Sequence, residues 1–205
     1  ISQWTEQQPV LETEIPELAL ARFLEPTEPK DVIYEPSICL VAQGAKRAIL
    51  EGEEYIYDAN HYLITSVGLP VVANVIKASR EKPFLGLFLK IDLGTVARLM
   101  LESSLPISGG RQTDRGMAIS QVCIELLNAF QRLVGLLDQP EDIPILAPLI
   151  LKEILYRILM GEQGPRLRQM ASTGSHGHKI ARAVDWLREN YAQQLKIESL
   201  AKDIG

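Results

Sequence analysis

Three histidines, two cysteines and a set of tyrosines are the side chains of this 205-residue sequence best suited to chemistry. Imidazole suits Fe, Cu, Ni and Zn, and a metal site in a small β-domain needs about three imidazoles and a carboxylate converging on one ion. His61 stands alone in residues 1–175, and His176 and His178 fall in the small polar octet ASTGSHGH (Ala171–His178). Two ligands on a flexible segment make a weak site, so neither a metal nor another cofactor is expected. Cys39 and Cys123 lie 84 residues apart, which is neither a disulfide framework nor a zinc spacing. Both fall on apolar stretches and read as small buried core residues in a reducing cytoplasm. GxSxG, HExxH and CxxC do not occur, and Gly109-Gly110-Arg111 lacks the Lys-Ser/Thr of a phosphate loop. The residues give an enzyme nothing to work with.

Binding remains. Tyr34, Tyr55, Tyr57 and Tyr62 each combine an apolar body with a polar tip. They could line a pocket or cover the mouth of a barrel. His61 sits where a turn enters a strand, and either caps that turn or touches a ligand. Tyr34, Cys39, Tyr55, His61 and Tyr62 form the candidate ligand-binding set.

Two kinds of element must position these residues. From Leu18 to Asp92 the chain runs in short apolar segments: Leu18–Leu24, Ile38–Gln43, Lys46–Leu50, Glu54–Tyr57, Tyr62–Val67, Val71–Ala78 and Phe84–Asp92. Turn formers such as Gly44, Glu51-Gly52, Gly68 with Pro70, and Pro83 separate them. In the last segment Leu85, Leu87, Leu89 and Ile91 share one face, opposite Phe84, Gly86 and Phe88. Such spacing predicts an antiparallel sandwich or barrel with two apolar faces. After Asp92 the period becomes helical. Thr95–Leu101 predicts a short helix, and Met117–Leu137 a longer one whose apolar seam is Ile119, Cys123, Leu126, Phe130, Leu133 and Leu137. A 3.5-residue seam with a wide stripe fits the protein's own core or a tight dimer. Asp142–Met160 is apolar almost all round, predicting a helix that begins near Pro148, ends at Gly161 and is sandwiched between other elements. Ile180, Val184, Leu187 and Tyr191 mark a further amphipathic helix, and Leu200 and Ile204 a last short one.

The formal net charge of −5 argues against nucleic acid only when taken whole. Residues 1–105 carry 9 basic and 15 acidic residues, a net −6, whereas residues 163–205 carry 7 and 4, a net +3. The longest apolar run, Ile143–Leu151, is nine residues with two prolines, short of the roughly 20 a membrane span requires. A cytoplasmic protein without a membrane partner is expected.

The strings YEPSICLVAQGAKRAILEGEEYIYDANHYLITSVGLPV (Tyr34–Val71), PFLGLFLKID (Pro83–Asp92), LLDQPEDIPILAPLILKEILYRILMGEQGPRLRQMA (Leu136–Ala171) and IARAVDWLRENYAQQLKIESLAKDIG (Ile180–Gly205) together resemble the AraC/XylS-type transcriptional regulators with an AraC-type N-terminal cupin-like arm. The resemblance implies an α+β chain in four parts. These are a cupin-like antiparallel β-barrel or sandwich that senses (1–105), a helical dimerisation region (106–172), a linker (173–179) and the start of a DNA-binding domain (180–205). Ile197, Leu200, Ala201 and Gly205 match the opening of a helix-turn-helix, in which Ala201 lets helices approach and Gly205 makes the turn. Lys196 stands where the family usually has a capping Ser or Thr, which leaves that short helix without its cap. The implied partners are a second copy of the chain, a small-molecule effector or a reactive one acting on Cys39 or another thiol, RNA polymerase, and DNA. DNA is expected only for a parent protein carrying the recognition helices, which do not occur in these residues. The alternative is a stand-alone cupin-like binding module with no DNA role.

Overall fold

A computed structural model describes residues 1–103 and 116–172 of the chain. The loop at 109–111, the linker with His176 and His178, and the expected helix-turn-helix start with Ile197, Leu200, Ala201 and Gly205 lie outside the described residues. The strands are β1 (Val10–Glu12), β2 (Leu18–Phe23), β3 (Lys30–Tyr34), β4 (Ser37–Gln43), β5 (Ala45–Leu50), β6 (Glu53–Asp58), β7 (His61–Thr65), β8 (Leu69–Lys77), β9 (Phe84–Lys90) and β10 (Met117–Gln121). The α-helices are α1 (Leu93–Glu102), α2 (Ile124–Gly135), α3 (Ile143–Met160) and α4 (Gly164–Ala171).

The strands form two antiparallel sheets, one of six strands in the order β1-β2-β9-β4-β7-β10 and one of four in the order β3-β8-β5-β6. They face each other as a sandwich; among the described residues the two do not close into a barrel. The chain changes sheet between β4 and β5 at Gly44. Its φ of +87° and the 2.4 Å that would separate a Cβ from the Lys77 carbonyl oxygen restrict this corner to glycine.

The six-stranded sheet is buried on both faces, which explains why its strands read as apolar throughout. In β9, Phe84 and Phe88 pack towards the other sheet, with Cys39, Val41, Tyr57 and Leu63. Leu87 and Leu89 of the same strand pack the opposite way, against Leu126, Phe130 and Leu133 of α2 and Ile150, Ile154 and Ile158 of α3. The result is three layers: sheet, sheet, helices. Asp92 starts α1 by accepting from the Gly94 and Thr95 amides at 2.9 and 3.2 Å, which satisfies two of the helix's free N–H groups.

Three expectations are corrected here. Met117–Gln121 is a strand and not the opening of a helix. It pairs with β7, Ser120 opposite Tyr62, so the sheet extends beyond residue 105. The expected seam therefore breaks: Ile119 lies on β10 against the inter-sheet core, Cys123 is the exposed residue preceding α2, and only Leu126, Phe130, Leu133 and Leu137 remain on helical turns. Those four are buried inside their own chain, where they present no surface to a partner. The third concerns α3, which begins at Ile143 with Pro144 in its first turn, where a missing N–H costs nothing. Pro148 lies one turn inside and forfeits one helical hydrogen bond. Nor is α3 covered all round: Ile145, Leu149, Tyr156 and Met160, at steps of 4, 7 and 4, are 69%, 61%, 42% and 55% exposed.

Candidate functional site

The space between the sheets is not filled. The inner face of the six-stranded sheet carries small residues where its strands cross. Ala21 of β2 pairs with Gly86 of β9, and Gly86 pairs in turn with Val41 of β4. One step along, Ala19 and Cys39 flank Phe88. A Cβ at Gly86 would come within 2.8 Å of the Phe84 ring, so glycine allows that ring to lie across the strand. The row of small residues leaves a cavity of about 200 Å³ between the layers. Phe23, Phe84 and Phe88 supply aromatic wall, the first two with ring centroids 6.2 Å apart and planes tilted by 48°.

The opposite wall is chemically different. Tyr34 of β3, Lys46 of β5 and Tyr57 of β6 enter the same cavity, Lys46 and Tyr57 as directly paired residues. The Lys46 Nζ lies 5.1 Å from the centroid of the Tyr34 ring, close enough for a cation–π attraction. Tyr34 and Tyr57 are 7% and 1% exposed. Their hydroxyls are buried near Lys46 and Cys39, yet neither makes a hydrogen bond of good geometry. Burial pushes the Tyr34 phenol and the Cys39 thiol up and the Tyr57 phenol well up, so all three stay neutral at pH 7. Burial presses the Lys46 ammonium down, its neighbours Tyr34 and Cys39 press it back, and the balance holds it above its ordinary value. Among the described residues no carboxylate interacts with Lys46.

Two other hollows differ in kind. A cleft of about 610 Å³ beside the N-terminal segment is open and lined by Gln7, Arg22, Glu25 and Glu28. A groove of about 300 Å³ runs between β9, α1 and α3, with Pro144, Pro148 and Leu151 on its helical side. The cleft's cations, Arg22 and Lys30, share it with Glu6, Glu25 and Glu28, and the groove has no aromatic residue. Among the described residues no three His, Cys, Asp or Glu side chains cluster in a way that could hold a metal, and no helix is long and apolar enough to cross a membrane.

The profile of the AraC-type transcriptional regulator N-terminus matches residues 14–166, which takes in both sheets and α1 to α3. The chain belongs to the AraC-type transcriptional regulators. No curated protein sequence matches this regulator. Its fold is similar to that of ToxT from Vibrio cholerae. An apo lysine-to-alanine variant of ToxT superposes with a TM-score of 0.60 at 8% identity, over 94% of this chain and 72% of that one. ToxT bound to an unsaturated fatty acid gives 0.55 at 8% identity, over 92% and 67%. ToxT bound to (E)-4-(8-methylnaphthalen-1-yl)but-3-enoic acid gives 0.59 at 7%, over 90% and 71%. At such identities the likeness is one of fold.

Of the five expected ligand residues in the regulator, Tyr34 and Cys39 line the cavity. Tyr55 belongs to the same inter-sheet core, its hydroxyl donating to Glu53 Oε2 at 3.0 Å. Tyr62 does not join them. It points to the helical side of its sheet, where burial pushes its phenol up to about 12. His61 is also elsewhere, at the turn where the chain passes from β6 to β7, with Nδ1 2.8 Å from Asp58 Oδ1. That contact, first among several, holds the Asp58 carboxyl below its usual value. Lys46 was not among the expected residues. Its signal was a cation between Ala45 and Ala48 in a strand whose inner-face residues are otherwise Ala48 and Leu50.

Proposed function

We propose that the described residues are the sensing and dimerisation part of a cytoplasmic regulator of transcription that answers to a small molecule. The carrying observation is the cavity between the sheets of a protein of this family, with an ammonium and two unsatisfied phenols facing into it. ToxT supports the reading by example, since it is described bound to a fatty acid and to a naphthyl butenoic acid. The wall made by β2, β4 and β9 carries α2 and α3 on its other face. A ligand that alters this wall would therefore alter the helices leading to residue 172. No catalytic step is assigned to the chain.

DNA reading is assigned to the unit whose opening resembles residues 180–205, through phosphate contacts by basic side chains and base-edge contacts by recognition helices. Contact with RNA polymerase belongs to the same reading. We place the second copy of the chain on the exposed apolar face of α3, because Leu126, Phe130, Leu133 and Leu137 of the expected seam are spent in the core. DNA fragments recovered with the protein encoded by the whole gene test the function. They should share one sequence in two half-sites, and a small molecule should shift the affinity several-fold. Recovery of fragments with no shared sequence would overturn it.

A further inference from the structure

We infer that the cavity between the sheets takes a small aromatic or branched monocarboxylate, its carboxylate held by the Lys46 ammonium and the Tyr34 and Tyr57 hydroxyls, its apolar body set against Phe23, Phe84 and Phe88. The inference rests on the sensing role proposed above and names what is sensed.

Hydrogen-bond inventory leads to the charge of the ligand. An ammonium has three donors and no acceptor, and a phenol donates one hydrogen bond. Lys46, Tyr34 and Tyr57 thus present a donor-rich wall in which neither hydroxyl makes a hydrogen bond of good geometry and no carboxylate interacts with the ammonium among the described residues. A half-buried ammonium without a carboxylate beside it, and buried hydroxyls without well-aligned partners, are costly to leave unpaired. A carboxylate has two oxygens and about four lone-pair sites. It satisfies all three groups at once. One lysine balances one negative charge, so a phosphate dianion would be left under-compensated. A polyol fits worse, because Ala19, Ala21, Gly86 and the three phenylalanines offer its hydroxyls nothing.

Volume leads to the body of the ligand. A dry apolar cavity of about 150 Å³ accommodates benzene. The 200 Å³ here accommodates one ring with its carboxylate and short spacer. Phe23 and Phe84, tilted at 48°, suit an edge-to-face contact with such a ring.

Titration of the 205-residue chain with benzoate, phenylacetate and 3-phenylpropionate, and in parallel with their three amides, tests this by calorimetry. At least one acid should bind one to one and its amide about 30-fold or more weakly, the usual loss when a buried charge has no partner. Lys46→Met should lower the acid's affinity by a similar factor and leave the amide's unchanged, with circular dichroism confirming that the variant is folded. Tyr57→Phe should cost a further ~3–10-fold. Ala21→Leu fills the cavity without removing a polar group, and should abolish acid binding while Tm holds. Equal binding of acid and amide overturns the carboxylate assignment, as does acid affinity that survives Lys46→Met. So does the absence of binding by any of the acids, and tighter binding of oleate overturns the single-ring size. The DNA recovery experiment tests sensing separately, so either can fail alone.

Discussion

The Gln163 side chain donates a 2.6 Å hydrogen bond to the Ser120 hydroxyl, joining the start of α4 to β10 inside the protein. The same amide accepts from Arg166 Nε at 3.2 Å. Gln163, Ser120 and Arg166 are 8%, 5% and 6% exposed. A buried polar chain of this kind holds α4 in one place only while every member is satisfied.

Gln163→Leu keeps the volume and removes both bonds, so that Ser120 and Arg166 each lose one of their contacts. The expected loss is about 1–3 kcal/mol of stability in urea unfolding. Amide exchange should speed up in α4 and stay slow in β4 and β9. Uniform acceleration across both sheets would show that Gln163 supports the whole fold and not the position of one helix.

Separate outcomes follow for the two helical faces. Leu149→Asp with Tyr156→Asp should leave a folded chain that sediments as a monomer, because both side chains are 61% and 42% exposed. Phe130→Ala should instead cost about 3–5 kcal/mol, since its ring is 1% exposed in the core. A dimer unaffected by the α3 substitutions would move the interface elsewhere.

Thiol titration should separate the two cysteines. Cys123 is exposed and Cys39 buried, and burial raises the Cys39 thiol and keeps it from ionising. One equivalent should react at once with an aromatic disulfide at pH 8, and the second only on unfolding. Two fast equivalents would mean that the cavity admits the reagent freely.

Asp92 links α1 to acid stability. Its hydrogen bond to Thr95, with the amides of Gly94 and Thr95, holds its carboxyl below the ordinary value of 3.8. A depressed carboxyl contributes stability above its unfolded pKa and loses it as pH falls through the lower folded value. That contribution should therefore fade from about pH 4 downward. Asp92→Ala should cost about 1 kcal/mol at pH 7, and Tm of the variant should fall less steeply than wild type below pH 4. Parallel acid limbs would assign the acid loss to other carboxylates, Glu153 between Arg132 and Arg157 among them.

Seven of the strands are legible as apolar segments between turn formers, and their bounds lie within two residues of the expected ones at most ends. The others were not. Lys30–Tyr34 is an edge strand with four exposed residues, and Val10–Glu12 is three residues long; neither shows alternation over enough length to be read. Met117–Gln121 was misread because Ile119, Cys123 and Leu126 fall on helical spacing by coincidence across a strand end and a helix start. A strand between two buried faces has no polar side to betray its period. The same reason hid half of the site. Tyr34 and Cys39 were legible as residue types, but Lys46 on β5 has apolar neighbours on both faces, and periodicity alone does not say which face looks inward.

The sequence by itself determined the family, the two-part division into strands and helices, and the small residues and tyrosines from which a cavity is made. These are local properties, set by residue type and spacing, and they survive without knowledge of what packs on what. Tertiary structure alone decided which face each strand turns inward and which face of each helix is spent. It turned Tyr62 towards the helices and Tyr57 towards the cavity, although both are tyrosines on consecutive strands joined by one short turn. It buried the α2 stripe and left that of α3 exposed. Pairing register and layer order are relations between distant segments, and a one-residue change in register reverses every side chain on a strand.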